Sequence, residues 1–174
     1  MTKLGSICSK GTLDNMASVA RECPQGCFVE VGVYEGGSAQ VLYDIAVEQG
    51  RQIFLYDTFE GIPYSDPVDS HKVGDFKGGD PEYISLILPK AIVRKGIFPD
   101  SAIAMPPVAF VHLDVDQYRS YKEAMEYLEP LMVPGGVMWF DDYECTSGAT
   151  VAVNERYDRS ELCRFKDDKY FKRF

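Results

Sequence analysis

Residues 28–38 read Phe-Val-Glu-Val-Gly-Val-Tyr-Glu-Gly-Gly-Ser, an apolar run that holds a carboxylate and breaks into glycines. Such a run, followed by helical periodicity, predicts a strand, a tight turn and a helix. The helix that begins near Ser38 presents free backbone N–H groups and a positive dipole end to a ligand above the turn. Glycines let that ligand approach the backbone without a Cβ in the way. The stretch is typical of a nucleotide-type binding loop, although an ordinary strand-to-helix turn is the alternative.

The spacing of the glycines narrows the choice of ligand. They fall at positions 32, 36 and 37, which does not match the Gly-x-Gly-x-x-Gly fingerprint of dinucleotide-binding proteins. The stretch also lacks the Gly-Lys-Ser/Thr sequence of a phosphate-binding P-loop. Glu30 would repel a pyrophosphate, but it suits a ligand with an ammonium or sulfonium group. The turn therefore favours S-adenosylmethionine (SAM) over NAD or ATP.

Composition indicates an ordinary globular protein. The 174 residues are 45% apolar and 26% charged, which suits a single domain spanning 1–174. No apolar run approaches the roughly 20 residues that a membrane span needs, and the N-terminus lacks the apolar core of a secretory signal. We therefore expect a cytoplasmic protein without a membrane partner. The net charge of −9 argues against nucleic acid as a partner. The five cysteines are expected to be reduced thiols, and the basic tail 164–173 a solvated hairpin face.

Strand and helix patterns alternate along the chain, which predicts an α/β fold with a mainly parallel sheet and helices on both faces. Residues 1–26 read as an N-terminal helical segment. Residues 60–81 are rich in glycine and proline and predict an active-site lid. The predicted helices are 13–22, 37–48, 81–88, 118–132 and 147–159, and the predicted strands are 27–33, 52–56, 91–95, 108–113, 137–140, 162–165 and 169–173.

Carboxylates close, or nearly close, four of the predicted parallel strands. Glu30, Asp57, Asp114 and the pair Asp141 and Asp142 lie there. Ligands of open α/β sheets bind outside the carboxyl ends of the strands, so these positions converge on one site. Asp57 lies about 20 residues beyond the glycine turn, where an acidic side chain accepts hydrogen bonds from ribose hydroxyls.

Three of these carboxylates also predict a metal site. Asp114, Asp141 and Asp142 would repel one another unless they were protonated or bridged by a cation. Oxygen ligands without His or Cys suit a hard ion, magnesium before calcium. The alternative is that only one aspartate faces the site while its neighbours cap helices.

These motifs together resemble the macrocin O-methyltransferase family, which comprises magnesium-dependent sugar methyltransferases of antibiotic biosynthesis with the class I SAM-dependent, Rossmann-like fold. The resemblance covers about residues 27–156 and follows the family's order. It implies a seven-stranded sheet with an antiparallel C-terminal strand. The segments that carry it are Phe28 to Ser38, Asp57-Thr58-Phe59-Glu60-Gly61-Ile62-Pro63, Lys95-Gly96-Ile97-Phe98-Pro99-Asp100, Leu113-Asp114-Val115-Asp116-Gln117-Tyr118, and Pro134-Gly135-Gly136 through Asp141-Asp142-Tyr143.

The resemblance implies a role for each of these segments. The methionine portion of SAM would be surrounded by Glu30, Gly32, Tyr34, Gly37 and Ser38. The ribose would be held by Asp57, with Thr58 and Phe59 beside it, and the adenine bordered by Gly96 and Ile97. Magnesium would be held by Asp114, Asp141 and Asp142 and would chelate two neighbouring hydroxyls of a small-molecule acceptor.

Proton transfer in such a reaction needs a base near the acceptor hydroxyl. A bound divalent ion lowers the pKa of a sugar hydroxyl and fixes its orientation. Asp114 is the candidate for the proton-accepting carboxylate as well as a metal ligand. His71, in the presumed lid, is a weaker candidate base.

Three other functions stay open at this stage. One is a metal-independent SAM-dependent methyltransferase of a small molecule or a protein side chain. Another is a SAM-binding module without turnover, and a more distant one is a nicotinamide enzyme. The sequence also leaves room for a homodimer.

Overall fold

The computed structural model describes residues 4–174, which form one seven-stranded sheet with α-helices packed on both faces. None of its helices is both long and apolar enough to cross a membrane. The helices are α1 (Lys10–Arg21), α2 (Gly37–Glu48), α3 (Pro81–Ile87), α4 (Tyr118–Leu128) and α5 (Ser147–Arg156), and the strands are β1 (Cys27–Val31), β2 (Ile53–Asp57), β3 (Ala91–Lys95), β4 (Val108–Leu113), β5 (Met132–Phe140), β6 (Leu162–Arg164) and β7 (Tyr170–Arg173).

The sheet has the strand order β3-β2-β1-β4-β5-β7-β6. Strands β1 to β5 are parallel, β7 pairs antiparallel with β5, and β6 pairs antiparallel with β7. The predicted seven-stranded, mainly parallel sheet with an antiparallel C-terminal strand is thus confirmed. The strand order reverses direction between β1 and β4, which is where α/β sheets open a crevice for ligands.

Side chains that alternate along each strand divide the core between the two faces of the sheet. Phe28 packs on the face that α1, α2 and α3 cover, whereas Val29 and Val31 pack on the face that α4 and α5 cover. The central strands β1 and β4 are buried along their whole length. Strands covered on both faces read as continuous apolar runs, which is why the sequence placed them correctly.

The ends of several elements differ from the sequence prediction. Strand β5 begins at Met132 rather than at 137, because Met132 already pairs with Val108 across a register shift. Helix α4 ends at Leu128, and a 3-10 turn that contains Pro130 follows where helix was predicted. Proline lacks the N–H that a continuing helix needs. Neither difference moves a predicted site residue.

Gly32 allows β1 and β4 to approach closely where both strands end. Its φ of +92° is left-handed, and a Cβ there would lie 1.8 Å from the carbonyl oxygen of Asp114. Its own N–H donates to the carbonyl of Tyr56 at 2.9 Å, which ties the same point to β2. Any side chain would therefore push the glycine turn away from Asp114.

We expect Gly32→Ala to lower the free energy of unfolding by at least about 3 kcal/mol, because it combines a left-handed backbone with a collision against main chain. Urea denaturation followed by circular dichroism measures this. The matched control is Gly50→Ala, whose φ is +67° but whose Cβ would meet nothing within 4 Å. That variant should lose only about 1–2 kcal/mol. Equal losses in the two variants would contradict the role of the close approach.

Candidate functional site

A cavity of about 380 Å³ opens at the carboxyl ends of β1, β2, β4 and β5. This is the edge on which the sequence placed the carboxylates, and the volume lies in the range of small-molecule sites. The predicted site residues that line the cavity are Gly32, Tyr34, Asp57, Thr58, Gly96, Ile97, Asp114, Asp141 and Asp142. The predicted site residues outside its lining are Glu30, Gly37, Ser38, Phe59 and His71.

Asp57 holds the glycine turn in place. Its Oδ2 accepts the backbone N–H groups of Val33 and Tyr34 at 2.7 and 2.8 Å, and its Oδ1 accepts that of Phe59 at 2.6 Å. Tyr34 and Phe59 both have positive φ, near +51° and +54°. The carboxylate therefore offsets the strain of two turns and still faces the cavity. Its predicted contact with ribose stays a prediction.

Glu30 lies behind the cavity rather than in its wall. It is fully buried, and its Oε1 lies 2.7 Å from Nδ1 of His112, its pairing partner on β4. His112 in turn directs Nε2 towards Oδ1 of Asp141 at 3.7 Å. Burial by itself would lower the pKa of His112, but the carboxylates of Asp141 and Glu30 raise it well above its usual range. The contact of Glu30 with the methionine portion of SAM stays a prediction.

The other predicted residues outside the cavity have different surroundings. Gly37 and Ser38 are buried at the start of α2, and a Cβ on Gly37 would lie 2.4 Å from the carbonyl oxygen of Gly5. Phe59 packs in the core. His71 lies 3.6 Å from a carboxylate oxygen of Asp116, which itself lines the cavity. His71 is therefore near the site but outside its wall.

The carboxylates of the three predicted metal ligands have different contacts. Asp114 and Asp141 face each other, but Oδ2 of Asp142 accepts the N–H of Asp116 at 2.9 Å and lies 3.1 Å from the hydroxyl of Tyr121. Burial and the neighbouring carboxylates raise the pKa of Asp142 to about 7 and that of Asp116 to about 6. Burial also raises the pKa of Asp114.

Two side chains that the sequence analysis did not assign to the site lie beside its carboxylates. The thiol of Cys8 lies 4.0 Å from Oδ2 of Asp114 and 3.9 Å from Oδ2 of Asp141. The ammonium group of Lys169 donates to the carbonyl and to Oδ2 of Asp141 at 2.5 and 3.0 Å. The prediction of a solvated basic face is wrong at Lys169, whose side chain is 13% exposed. The antiparallel pairing of Phe140 with Tyr170 sets Lys169 beside Asp141, and the sequence pattern carries no signal of that register.

Charge around Asp141 is balanced by these neighbours. Burial alone would raise the pKa of Asp141, but His112 and Lys169 hold it well below its usual range. Burial raises the pKa of the Cys8 thiol, and Asp114 and Asp141 raise it further. The cavity therefore has an ionised carboxylate beside a protonated thiol.

Residues 60–80 contain no helix or strand but are tied to α4 and its preceding turn. The side-chain amide of Gln117 donates to the carbonyls of Tyr64 and His71 at 3.1 and 3.0 Å. The backbone N–H of Tyr118 donates to Asp69 at 2.8 Å. Several residues of this segment line the cavity, including Gly61, Ile62, Pro63 and Phe76.

Comparison with known proteins gives the family. A model described as macrocin-O-methyltransferase (TylF) matches residues 10–163 of the chain. The chain belongs to the macrocin-O-methyltransferase family. The match spans the glycine turn, Asp57, Asp114 and the Asp141–Asp142 pair. The resemblance stated from the sequence is thereby confirmed.

One curated relative is the 8-demethyl-8-(2,3-dimethoxy-alpha-L-rhamnosyl)-tetracenomycin-C 4'-O-methyltransferase of Streptomyces olivaceus. It is 30% identical over 156 residues, and the match covers 75% of this chain. The chain spans 59% of that relative's length.

Solved structures support the fold of this family member. The O-methyltransferase NovP superposes with a TM-score of 0.81 at 21% identity, over 93% of this chain and 78% of NovP. The calicheamicin methyltransferase CalS11 superposes with a TM-score of 0.80 at 19% identity, over 94% of this chain and 77% of CalS11. At these identities the likeness concerns the fold alone.

The raised pKa values predict how stability depends on pH. Asp142 and Asp116 keep protons in the folded state at pH values where unfolded aspartates, with a pKa near 3.8, have lost theirs. The free energy of unfolding should therefore fall as pH rises from about 4 to about 8, by roughly 1–3 kcal/mol. Urea titrations of chelator-treated protein across this range measure it.

Asp142→Asn is the variant that tests this prediction, and the exposed Asp44→Asn is its matched control. The first should flatten the fall in stability, because the amide no longer titrates, whereas the second should leave it unchanged. A fall that is as steep in Asp142→Asn as in the wild type would show that other groups cause it.

Proposed function

We propose that this protein is a SAM-dependent O-methyltransferase that transfers a methyl group to a hydroxyl of a sugar or another vicinal diol. One observation carries the proposal: a single cavity is lined by the glycine turn, by Asp57 and by the paired carboxylates of Asp114 and Asp141. A methyl donor and a hydroxyl acceptor can meet there. Membership in the macrocin-O-methyltransferase family supports the reaction type and SAM as its cofactor.

In the proposed complex, SAM lies along the carboxyl ends of the parallel strands. Gly32 and Tyr34 would border the methionine portion, with Glu30, Gly37 and Ser38 behind them. The ribose would lie against Asp57 and Thr58, with Phe59 behind, and the adenine against Gly96 and Ile97. The main chain at Gly32 is the point where a side chain would disturb both the turn and Asp114.

The acceptor hydroxyl would lie between the SAM methyl group and Asp114. Its oxygen attacks the methyl carbon while the carbon–sulfur bond of the sulfonium breaks, so the reaction is an in-line displacement that depends on positioning. Asp114 would accept the hydroxyl proton, because it directly follows β4 and lines the cavity. His71 would need the segment 60–80 to move before it could reach the same atom.

A divalent cation fits beside the acceptor in this proposal. Asp114 and Asp141 direct carboxylate oxygens towards each other, and Asp142 would contribute its remaining oxygen. When bound, the cation would lower the pKa of the acceptor hydroxyl and fix its orientation. Magnesium remains the prediction for a site built from these oxygens.

A metal-independent methyltransferase is the second candidate. The observation that favours it is Lys169, whose ammonium group already offsets the charge of Asp141. In that reaction Asp114 alone would hold and deprotonate the acceptor. The sugar acceptor is proposed because the Streptomyces olivaceus relative is named for methylation of a rhamnosyl group.

Calorimetric titration of SAM into metal-stripped protein, with and without millimolar magnesium, tests this proposal together with Asp114→Asn. We expect SAM to bind the wild type and the variant within about threefold of each other. With a rhamnoside as acceptor, kcat/KM of the variant should fall at least about 100-fold, because a base and a cation ligand are both lost. The exposed Asp44→Asn is the control and should match the wild type.

Each alternative predicts a different result. Absence of SAM binding under every condition would refute the methyltransferase proposal. SAM binding and methyl transfer without any effect of magnesium would favour the metal-independent enzyme. SAM binding without transfer to any diol would favour a non-catalytic SAM-binding module.

A further inference from the structure

Two exposed apolar side chains, Ile7 and Phe76, belong to the wall of the cavity. Ile7 is 67% exposed and Phe76 is 42% exposed, yet both line the same space as Asp57 and Asp114. A side chain that lines a cavity while much of its surface stays in water lies at the rim. Large apolar groups exposed beside a small-molecule site indicate contact with a ligand, because burying them there gains free energy.

The segment 60–80 holds Phe76 in a strained conformation. Its φ is +57°, which is uncommon for any residue other than glycine and especially for a bulky one. The N–H of Ile62 donates to the carbonyl of Asp75 at 2.9 Å, and the N–H of Gly74 donates to the carbonyl of Ile62 at 3.0 Å. The ring also packs edge-on against His71, with 4.8 Å between the ring centres. These contacts keep Phe76 at the rim despite the strain.

The N-terminal segment holds Ile7 by contacts on either side along the chain. Before it, Gly5 forms a bridge with Gly36 of the glycine turn. After it, the side chain of Ser9 accepts the N–H of Thr12 and caps α1. Ile7 is therefore placed at the cavity by anchors that do not involve its own side chain.

Charge in the cavity disfavours an acceptor that carries phosphates. Among the described residues that line it, Lys169 is the basic side chain, and its ammonium group already donates to Asp141. Lys72 and Lys77 lie on the segment 60–80 but outside the lining. The lining contains five aspartates, namely Asp57, Asp114, Asp116, Asp141 and Asp142. A nucleoside diphosphate would meet carboxylates there without an unpaired basic side chain, which phosphate recognition normally uses.

The size of the cavity places part of the acceptor at its rim. The volume of about 380 Å³ is near the lower end of the range for small-molecule sites. In the proposed reaction this space has to hold the methyl donor together with the reacting sugar. Any group attached to that sugar therefore extends past the rim, where Ile7 and Phe76 are exposed.

We propose that Ile7 and Phe76 form an apolar clamp that selects acceptors by the group attached to the sugar. The clamp favours an uncharged apolar group, such as an aromatic ring, over a nucleoside diphosphate. This inference rests on the proposed function, because it concerns the acceptor of that reaction. It assigns specificity to the two segments that close the cavity and leaves the chemical step to the strand ends.

Calorimetric titration of three rhamnose compounds into the protein saturated with S-adenosylhomocysteine and magnesium tests the clamp without turnover. The compounds are phenyl rhamnoside, methyl rhamnoside and thymidine diphosphate rhamnose. We expect phenyl rhamnoside to bind at least about tenfold more tightly than either of the others, because only its ring gains apolar burial at the rim.

Ile7→Ser and Phe76→Asn test the two residues separately, and asparagine is chosen because it tolerates a positive φ. Each change should lower the ratio of phenyl to methyl rhamnoside affinity at least about threefold, because apolar contact area is lost. In methyl transfer, KM for phenyl rhamnoside should rise while kcat stays within about twofold, as expected when ground-state and transition-state binding are lost equally.

Val73→Asn and Leu86→Ser are the matched controls. Val73 is 64% exposed on the segment 60–80 and Leu86 is 73% exposed on α3, and both lie outside the lining of the cavity. Both variants should keep the wild-type ratio of affinities. A fall in this ratio as large in the controls as in Ile7→Ser and Phe76→Asn would contradict the clamp.

Failure of the clamp differs from failure of the proposed function. Equal binding of the two rhamnosides to the wild type, or tighter binding of thymidine diphosphate rhamnose, would overturn the clamp and leave the methyltransferase proposal standing. Binding of neither rhamnoside to a protein that binds SAM would overturn the clamp together with the sugar acceptor. Absence of SAM binding would refute the methyltransferase proposal before any acceptor is added.

Discussion

The close approach of β1 and β4 at their carboxyl ends is the constraint on which the site depends. Gly32 lies so near the carbonyl of Asp114 that a Cβ would fall 1.8 Å from that oxygen. This contact brings the glycine turn and the carboxylates of β4 and β5 to a single cavity, although Asp114 and Asp141 follow Gly32 by 82 and 109 residues in the sequence. Asp57 completes the arrangement, because its three backbone hydrogen bonds hold the turn in a conformation with positive φ. In the proposed reaction, the methyl donor and the acceptor hydroxyl can meet only if this geometry is kept.

A row of charged groups crosses the sheet beneath the cavity. It runs from Glu30 on β1 through His112 on β4 and Asp141 after β5 to Lys169 before β7. Burying any one of these charges alone would be costly, so each needs the next as a partner. The row fixes Asp141 as an ionised carboxylate and aims it at the cavity. The charge of the candidate site therefore depends on residues that lie on, or directly beside, four different strands.

The N-terminal segment and residues 60–80 close the cavity from two sides. Residues 4–9 of the N-terminal segment and residues 60–80 form no helix, yet both are anchored by hydrogen bonds to α2, α4 and the glycine turn. The relatives NovP and CalS11 share the sheet and its helices at about 20% identity. In this chain the N-terminal segment also brings a thiol to the carboxylates.

The sequence by itself determined the elements and the edge of the sheet at which the site lies. Buried parallel strands such as β1 and β4 are continuous apolar runs, so the residue at which each strand ends can be read from the sequence. For that reason Asp57, Asp114 and Asp141 could be assigned to one cavity without a structure. Only the tertiary structure decided where side chains point: Glu30 turns to His112, Asp142 turns to Asp116, and Cys8 and Lys169 enter from distant segments. Those directions depend on strand register and on contacts between residues far apart in the chain, which local periodicity does not encode.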